Sequence, residues 1–204
     1  MTRRVKLLRP IASLDHALPR ATDRLVLRRF LAQDLDRFQS YRCDPEVGRY
    51  QGWSAMDAAG AAAFLEAMAT ARFGVPGKWF QIAVADRSTN ALVGDIGIGL
   101  DKDHASVAEI GFSMAPAAQR RGQGSEAVTG ALALLFDSGW IDVVEGMTDA
   151  RNIPSIRLLE RVGMRLGRTR ETLFKGEMCT EHVYSLTCTQ WREFVATPNS
   201  SNPR

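Results

Sequence analysis

The sequence predicts one α/β (α+β) domain built on a mixed sheet with an antiparallel middle. Two observations carry this. The chain has 204 residues, the size of one large domain, enough to bury roughly 70% of its unfolded surface without disulfides or metal. Its segments also run in the order β-α-α-β-β-β-α-β-α-β-β, as its apolar spacing alternates between strand and helix periods.

Taken in order, residues 24–30 (RLVLRRF) alternate apolar and basic residues and read as a strand. Residues 32–43 read as a helix with Leu35 and Phe38 on its apolar side, ended by Asp44-Pro45. Ser54 is placed to cap a second helix, with Asp57 at its capping-box position. Residues 79–85 (WFQIAVA) form a strand and Arg87 to Asn90 a turn. The next strand, 92–100, puts Leu92, Gly94, Ile96, Ile98 and Leu100 on one face. Residues 107–114 (VAEIGFSM) are another strand, stopped by Pro116. After a loop comes a helix at 125–138, ended by Gly139. Then follow a strand at 140–147, a short helix at 152–162 stopped by Gly163, and strands at 165–174 and 182–187.

Composition excludes several classes. Hydrophobic residues make up 45% and charged residues 24%, ordinary values that argue against disorder, a collagen repeat or a coiled coil. No apolar run approaches the roughly 20 residues of a membrane span, and the basic N-terminus lacks the apolar core of a secretory signal. Cys43, Cys179 and Cys188 are odd in number and lack zinc-like spacing, so a reducing cytoplasm is expected. No metal is expected either, since His16, His104 and His182 are far apart without acidic companions. The net charge of +3 and pI of about 9.0 are too mild for a dedicated nucleic-acid binder. Residues 1–43 nonetheless carry ten Lys/Arg against four Asp, either a solvated arm or an attraction for RNA or an acidic partner. The expected division is an N-terminal extension at 1–20, a domain at 21–194 and a tail at 195–204.

The segment richest in chemistry is the loop between the strand ending at Met114 and the helix beginning near Ser125. Gly122 and Gly124 straddle the helix entrance, where free N–H groups and the positive helix end make an anion site. Gln119, Arg120 and Arg121 add donors and charge, which together suit a pyrophosphate. Gly122, Gly124 and Ala127 also spell G-x-G-x-x-A. In a dinucleotide fold, though, that turn follows the strand at once, and here seven residues intervene. No Lys-Ser/Thr follows, so a Walker A loop is excluded.

Gln119-Arg-Arg-Gly122-Gln-Gly124 resembles the Q/R-x-x-G-x-G/A signature of the GNAT N-acetyltransferase superfamily. Asn152-Ile-Pro-Ser155-Ile-Arg-Leu-Leu-Glu-Arg-Val-Gly163-Met164 resembles the N-x-x-S-x-x-L-L-E-x-x-G-F/M segment of its branch that acetylates ribosomal-protein N-termini. Arg24-Leu-Val-Leu-Arg28, Asp44-Pro-Glu-Val47 and His182-Val-Tyr-Ser-Leu186 fit that branch in order. The resemblance spans residues 22–190. It implies a mostly antiparallel twisted sheet flanked by helices, with acetyl-CoA as co-substrate. It further implies transfer of acetyl to a primary amine, either a protein N-terminal α-amine or a small molecule such as an aminoglycoside, amino acid or polyamine. A non-catalytic acyl-CoA-binding module is the rival from another class. Monomer and homodimer both remain open.

The resemblance also implies roles. Gln119, Arg120, Arg121, Gly122, Gln123, Gly124 and Ser125 hold the pyrophosphate, mainly through backbone N–H groups. Phe112, Ser113 and Met114 pair with the pantetheine arm, across an edge that strands 107–114 and 141–148 would open by splaying. Asn152 contacts the coenzyme arm, or else only caps its helix. Ser155 stands where a hydroxyl reaches the departing thiolate, since no tyrosine lies between Asn152 and Gly163. From the residues alone, Glu109 is a carboxylate in an apolar strand, on the face of Val107, Gly111 and Ser113. It is either a base for the acceptor ammonium or a structural partner of an arginine. Asp95 is a weaker candidate for substrate contact. His182 reads as a structural histidine sharing a face with Tyr184, and Tyr50, Trp53 and Trp79 as core or pocket lining.

Overall fold

The computed structural model describes residues 15–197. The reading of a basic N-terminal arm falls mostly on residues 1–14, outside the described residues, and that of a polar tail falls on 198–204, also outside them. Asp15, within the expected extension, is tied to the domain. One carboxylate oxygen accepts from Arg29 at 2.7 Å and from the Phe73 backbone N–H at 3.0 Å.

The described strands form one sheet of eight in the order β1-β2-β3-β4-β5-β6-β8-β7. They are β1 (Arg20–Ala21), β2 (Leu25–Arg28), β3 (Trp79–Asp86), β4 (Leu92–Leu100), β5 (Val107–Met114), β6 (Val143–Asp149), β7 (Arg165–Phe174) and β8 (Glu177–Thr187). Every neighbouring pair is antiparallel except β5 and β6. That parallel ladder holds only Val107, Ala108 and Glu109 against Val143, Val144 and Glu145. Beyond Glu109 the two strands part.

Side chains alternate across the sheet, so each strand feeds both faces. One face carries the larger core: Ile82, Ile96, Ile98, Ile110, Val144 and Leu186 pack with Ala127, Ala131 and Leu135 of α4 (Gln123–Asp137), and with Leu159 of α5 (Ile153–Arg161). α6 (Cys188–Ala196) adds Trp191 to it. Across the sheet, Ala83 meets Phe38 and Tyr41 of α1 (Leu35–Arg42), and Ala61 and Leu65 of α3 (Ala58–Thr70). A single turn, α2 (Pro45–Gly48), joins these helices, capped by Asp44.

Five elements differ from the sequence reading, of which β1 and the single-turn α2 were not expected at all. α3 starts at Ala58 with Asp57 as its N-cap, accepting from Gly60 N–H at 2.8 Å, so Ser54 is no cap. α6 was not expected, although Thr187 and Gln190 form the reciprocal capping box that opens it. β8 begins five residues earlier than residue 182, because Phe174 to Glu177 closes a tight hairpin with β7.

Candidate active site

The parting of β5 and β6 makes the site. Along β5, the Val107 carbonyl accepts from Asp101 and the Ala115 N–H beyond its end donates to Val93, both toward β4 and its flanks. Strand alternation then turns the backbone groups of Phe112 and Met114 toward the gap. Their carbonyls are met by side chains there: Gln51 Nε2 donates to Phe112 O at 3.1 Å and Gln119 Nε2 to Met114 O at 3.0 Å. Gln119 therefore props the strand edge, and its amide does not extend into the loop that follows. Ser113, between the two, is buried and faces the other way, opposite Asp95.

The glycine loop lies on the α4 side of the sheet. Gly122 is the N-cap of α4 at φ 74°, with no side-chain cap bond. Arg120 is also left-handed, at φ 59°. The N–H groups of Gln123, Gly124 and Ser125 are the first-turn donors that a helix cannot satisfy internally, and Glu126 N–H already closes the first helical bond onto Gly122 O. Glu126, an acid that would repel an anion here, is turned away. It bonds Thr22 Oγ1 at 2.6 Å, Arg24 N at 2.7 Å and Arg24 Nε at 2.7 Å. Arg120 and Arg121 are exposed at the same end. The donor set thus fits a pyrophosphate. Gly124 has a further reason to be glycine: a Cβ would lie 2.9 Å from Leu158 Cδ1, so it is also a packing contact between α4 and α5.

α5 lies on this same side, its Leu159 against Gly146 of β6. Asn152 is its N-cap, Oδ1 accepting from Ser155 N–H at 3.3 Å. The capping alternative is therefore present, and the amide NH2 of Asn152 remains for a ligand. Ser155 is half-buried, one turn into the helix.

Across the sheet a cavity of about 440 Å³ opens onto the gap. Its lining includes Glu109, Gly111, Phe112 and Ser113 of β5, Asp95 and Gly97 of β4, and Met147, Thr148 and Asp149 of β6. Tyr50, Trp53 and Trp79, the three aromatic candidates, all line it. Asn152, Ser155 and the 119–125 loop do not, so the two halves of the site meet only through the gap.

Glu109 faces this cavity and makes no ion pair or hydrogen bond with the described residues, which removes the salt-bridge alternative. Burial, then the nearby Glu181 and Glu145 carboxylates, raise its pKa above the ordinary value, with Arg170 opposing. Its neighbours are better paired: Glu181 with Arg170 Nε at 2.6 Å, Glu145 with Arg168 at 3.4 Å, Asp149 with Arg151 at 2.7 Å. Asp95 is 2% exposed. Its Oδ2 takes Arg42 Nη2 at 2.6 Å and Tyr41 OH at 2.7 Å. Burial still holds its pKa above the usual carboxylate range.

His182 pairs in register with Thr148, so strand alternation sets it on the helix-bearing face with Tyr184, away from Glu109. Tyr184 OH donates to Glu160, and the buried His182 Nδ1 has no partner. Among the described residues no group of three His, Cys, Asp or Glu is placed to hold a metal, and no helix is long and apolar enough to cross a membrane. Sequence reasoning missed Arg42, Tyr41, Gln51, Glu145 and Glu181. Each is an ordinary polar residue until the sheet order brings it here.

A glycine-opened helix behind a splayed parallel pair is the geometry the resemblance implied. The acetyltransferase (GNAT) domain model matches residues 24–165, covering both the loop and α5. The chain belongs to the GNAT acetyltransferase family. It is 26% identical over 168 residues to the uncharacterized N-acetyltransferase p20 of Bacillus licheniformis, covering 81% of this chain and 93% of that one. Among solved structures it is similar to a candidate ribosomal-protein-serine acetyltransferase of Vibrio cholerae. The TM-score is 0.67 at 24% identity, over 82% and 95% of the two chains. It is also similar to the microcin C7 self-immunity acetyltransferase MccE, solved with acetyl-CoA and AMP. There the TM-score is 0.70 at 15% identity, over 81% and 93%. At these identities the solved structures show the fold alone; it is the family match that makes this GNAT protein an acetyltransferase.

Proposed function

We propose that this GNAT protein moves acetyl from acetyl-CoA to a primary amine by direct attack, with Glu109 as the base. One observation carries the reading: an unpaired, half-buried carboxylate stands where the strands part, facing the cavity on one side of the sheet while the anion cradle lies on the other. Acetyl-CoA bound there supplies an activated thioester acetyl. The N–H groups of Gln123, Gly124 and Ser125 bind its pyrophosphate, helped by Arg120 and Arg121. The β5 edge at Phe112 to Met114 pairs with the pantetheine arm, and the N–H at Met114 polarises the acetyl carbonyl.

Glu109 takes the proton of the acceptor ammonium, directly or through water, and the neutral amine attacks. Ser155 offers a hydrogen bond or proton to the departing sulfur, and Asn152 steadies the coenzyme arm. Between acceptor classes, the resemblance to the ribosomal-protein branch and the likeness to the Vibrio cholerae protein favour a protein N-terminal α-amine over a small amine. The test is a free-thiol assay with acetyl-CoA and a panel of peptides with Ala, Ser or Thr N-termini, aminoglycosides, amino acids and polyamines. Coenzyme binding with no thiol release on any acceptor would make the protein a non-catalytic acyl-CoA-binding module.

A further inference from the structure

The cavity floor beyond Glu109 holds polar atoms that the fold leaves unspent, on Asp95 and Arg42 at its far end and on Gln81 midway. Asp95 Oδ2 accepts from Tyr41 OH, Arg42 Nη2 and Arg42 Nε at 2.7, 2.6 and 3.2 Å. Asp95 Oδ1 accepts from none of the described residues. Arg42 spends Nε and Nη2 on this one oxygen, and its Nη1 bonds none of them. The guanidinium cannot swing away, because it lies over Trp53 at 4.4 Å and Phe38 at 4.9 Å. Gln81, opposite Gly97 in the β3–β4 register, has a buried Oε1 without a partner among the described residues. A buried polar atom left without a partner is rare and calls for an explanation. Asp95, Arg42 and Gln81 all line the cavity.

The path toward Glu109 stays open along β5, while on β4 the Gln81 side chain lies over Gly97 and the Trp79 ring over Gly99. Asp95 pairs with Ser113 and Gly99 with Glu109, while Gly97 pairs with Gly111 between them. A Cβ on Gly111 would meet nothing within 4 Å. Glu109 and Ser113 are four residues apart on one face of β5, about 13 Å at strand spacing. The floor can therefore receive an extended chain whose reacting amine is at one end.

Charge decides what the far end reads. The Asp95 carboxylate is neutralised by Arg42, so a second ammonium gains little there and loses its hydration. Free acceptors on Asp95 and Gln81 beside free donors on Arg42 and Gln81 suit a neutral group with both an N–H and a C=O. We propose that Asp95, Arg42 and Gln81 form a specificity subsite that binds an amide on the body of the acceptor, remote from the amine that reacts. This rests on the reading of the protein as an amine acetyltransferase using Glu109.

The test compares alaninamide with di-, tri- and tetra-alanine amides, and with linear diamines and triamines of matched length, in the thiol-release assay. The expected result is a kcat/KM at least tenfold higher for the tetrapeptide amide than for alaninamide, gained mainly in KM, with no such rise along the amines. Asp95→Asn should remove the gain. Because that change disturbs a buried ion pair, Gln81→Met is the second variant. It keeps the shape, deletes the unpartnered oxygen, and should retain the melting temperature while losing most of the gain. Thiol release with a flat peptide series, a gain that survives Gln81→Met, or amines that outperform the peptides would each overturn the subsite. No thiol release from any amine would instead overturn the transferase reading beneath it.

Discussion

Glu109 and Glu145 are register partners on the last rung of the β5–β6 ladder, so two carboxylates stand side by side where the strands part. Glu145 has Arg168 for company, and Glu109 has no ion partner among the described residues. Burial, and then the like charges nearby, disfavour ionisation of Glu109, and a carboxylate whose proton affinity is raised in this way is a stronger base. The same geometry is a cost to the fold, which makes it testable in two ways.

Glu109→Gln should lower kcat by about 10²-fold or more at pH 7, the loss shrinking at high pH where the acceptor amine is already neutral. The stability effect has the opposite sign. The folded-state pKa of Glu109 lies above its ordinary value of 4.5, so the native state holds this proton more tightly than the unfolded chain. That contribution is complete below the unfolded pKa and is lost as pH rises through the folded one. Glu109→Gln should therefore melt a few degrees higher than wild type at pH 8 and show no advantage at pH 4. Thermal scans at both pH values check this. A variant that is inactive and also less stable at pH 8 would make Glu109 structural.

Much of this site was legible in the chain because its signals are local. Gly122, Gly124 and the arginines sit within six residues, and Glu109 stands out in an apolar strand. What was not legible depends on long-range order. Asp95 reads as a lone acid between glycines until α1, 53 residues away, lays Arg42 on it. Glu181 comes near the gap because β8 is inserted between β6 and β7. Chain order alone would place β7 beside β6. The start of α3 was misplaced because Ser54 and Asp57 are both good caps, and only the path of the preceding loop chooses between them. The Thr187–Gln190 capping box shows that α6 was written locally, in a segment to which the sequence reading gave no element.

Gly124 tests the two demands on the cradle separately. A valine there meets Leu158 Cδ1, and overpacking of this kind costs about 1–3 kcal/mol. Loss of coenzyme binding in Gly124→Val would thus confuse packing with contact. Gly124→Val combined with Leu158→Ala should recover much of the melting temperature. If the backbone N–H groups are what hold pyrophosphate, the double variant should also recover part of the upward shift that acetyl-CoA causes by binding only the folded state. A refolded double variant with no shift would mean that the valine blocks the phosphate itself.

Cys179 lines the cavity and is buried, which raises the question of an acetyl-cysteine intermediate. Burial raises its thiol pKa, and the neighbouring Asp149 carboxylate adds to that. A thiol kept protonated is a poor nucleophile. Cys179→Ser should retain most of the activity, and mixing the enzyme with acetyl-CoA alone should give no thiol burst. Mass spectrometry showing a stoichiometric acetyl adduct on Cys179 would replace direct attack with a two-step transfer.

Asn152 and Ser155 share one hydrogen bond, Asn152 Oδ1 accepting from Ser155 N–H, and each has a structural duty that must be separated from a chemical one. Asn152→Ala removes the cap and should cost about 1 kcal/mol of stability. Asn152→Asp keeps a capping oxygen while replacing the NH2 donors with a charged oxygen, so it tests the contact with the coenzyme arm without removing the cap. Both variants should raise the KM for acetyl-CoA, and only the alanine should lower the melting temperature appreciably. An unchanged KM in Asn152→Asp would leave Asn152 a cap and no more. Ser155 donates its backbone N–H to the cap whatever its side chain, so Ser155→Ala leaves the helix intact and tests the hydroxyl alone. A thiol pKa near 8.5 makes thiolate a tolerable leaving group at neutral pH. The expected loss in kcat is then about tenfold, or ~1.4 kcal/mol of barrier. It should not grow at high pH, where thiolate is the stable form of the leaving group. A thousandfold loss at pH 7 would show instead that proton delivery from Ser155 limits the reaction, with the base at Glu109 in the lesser role.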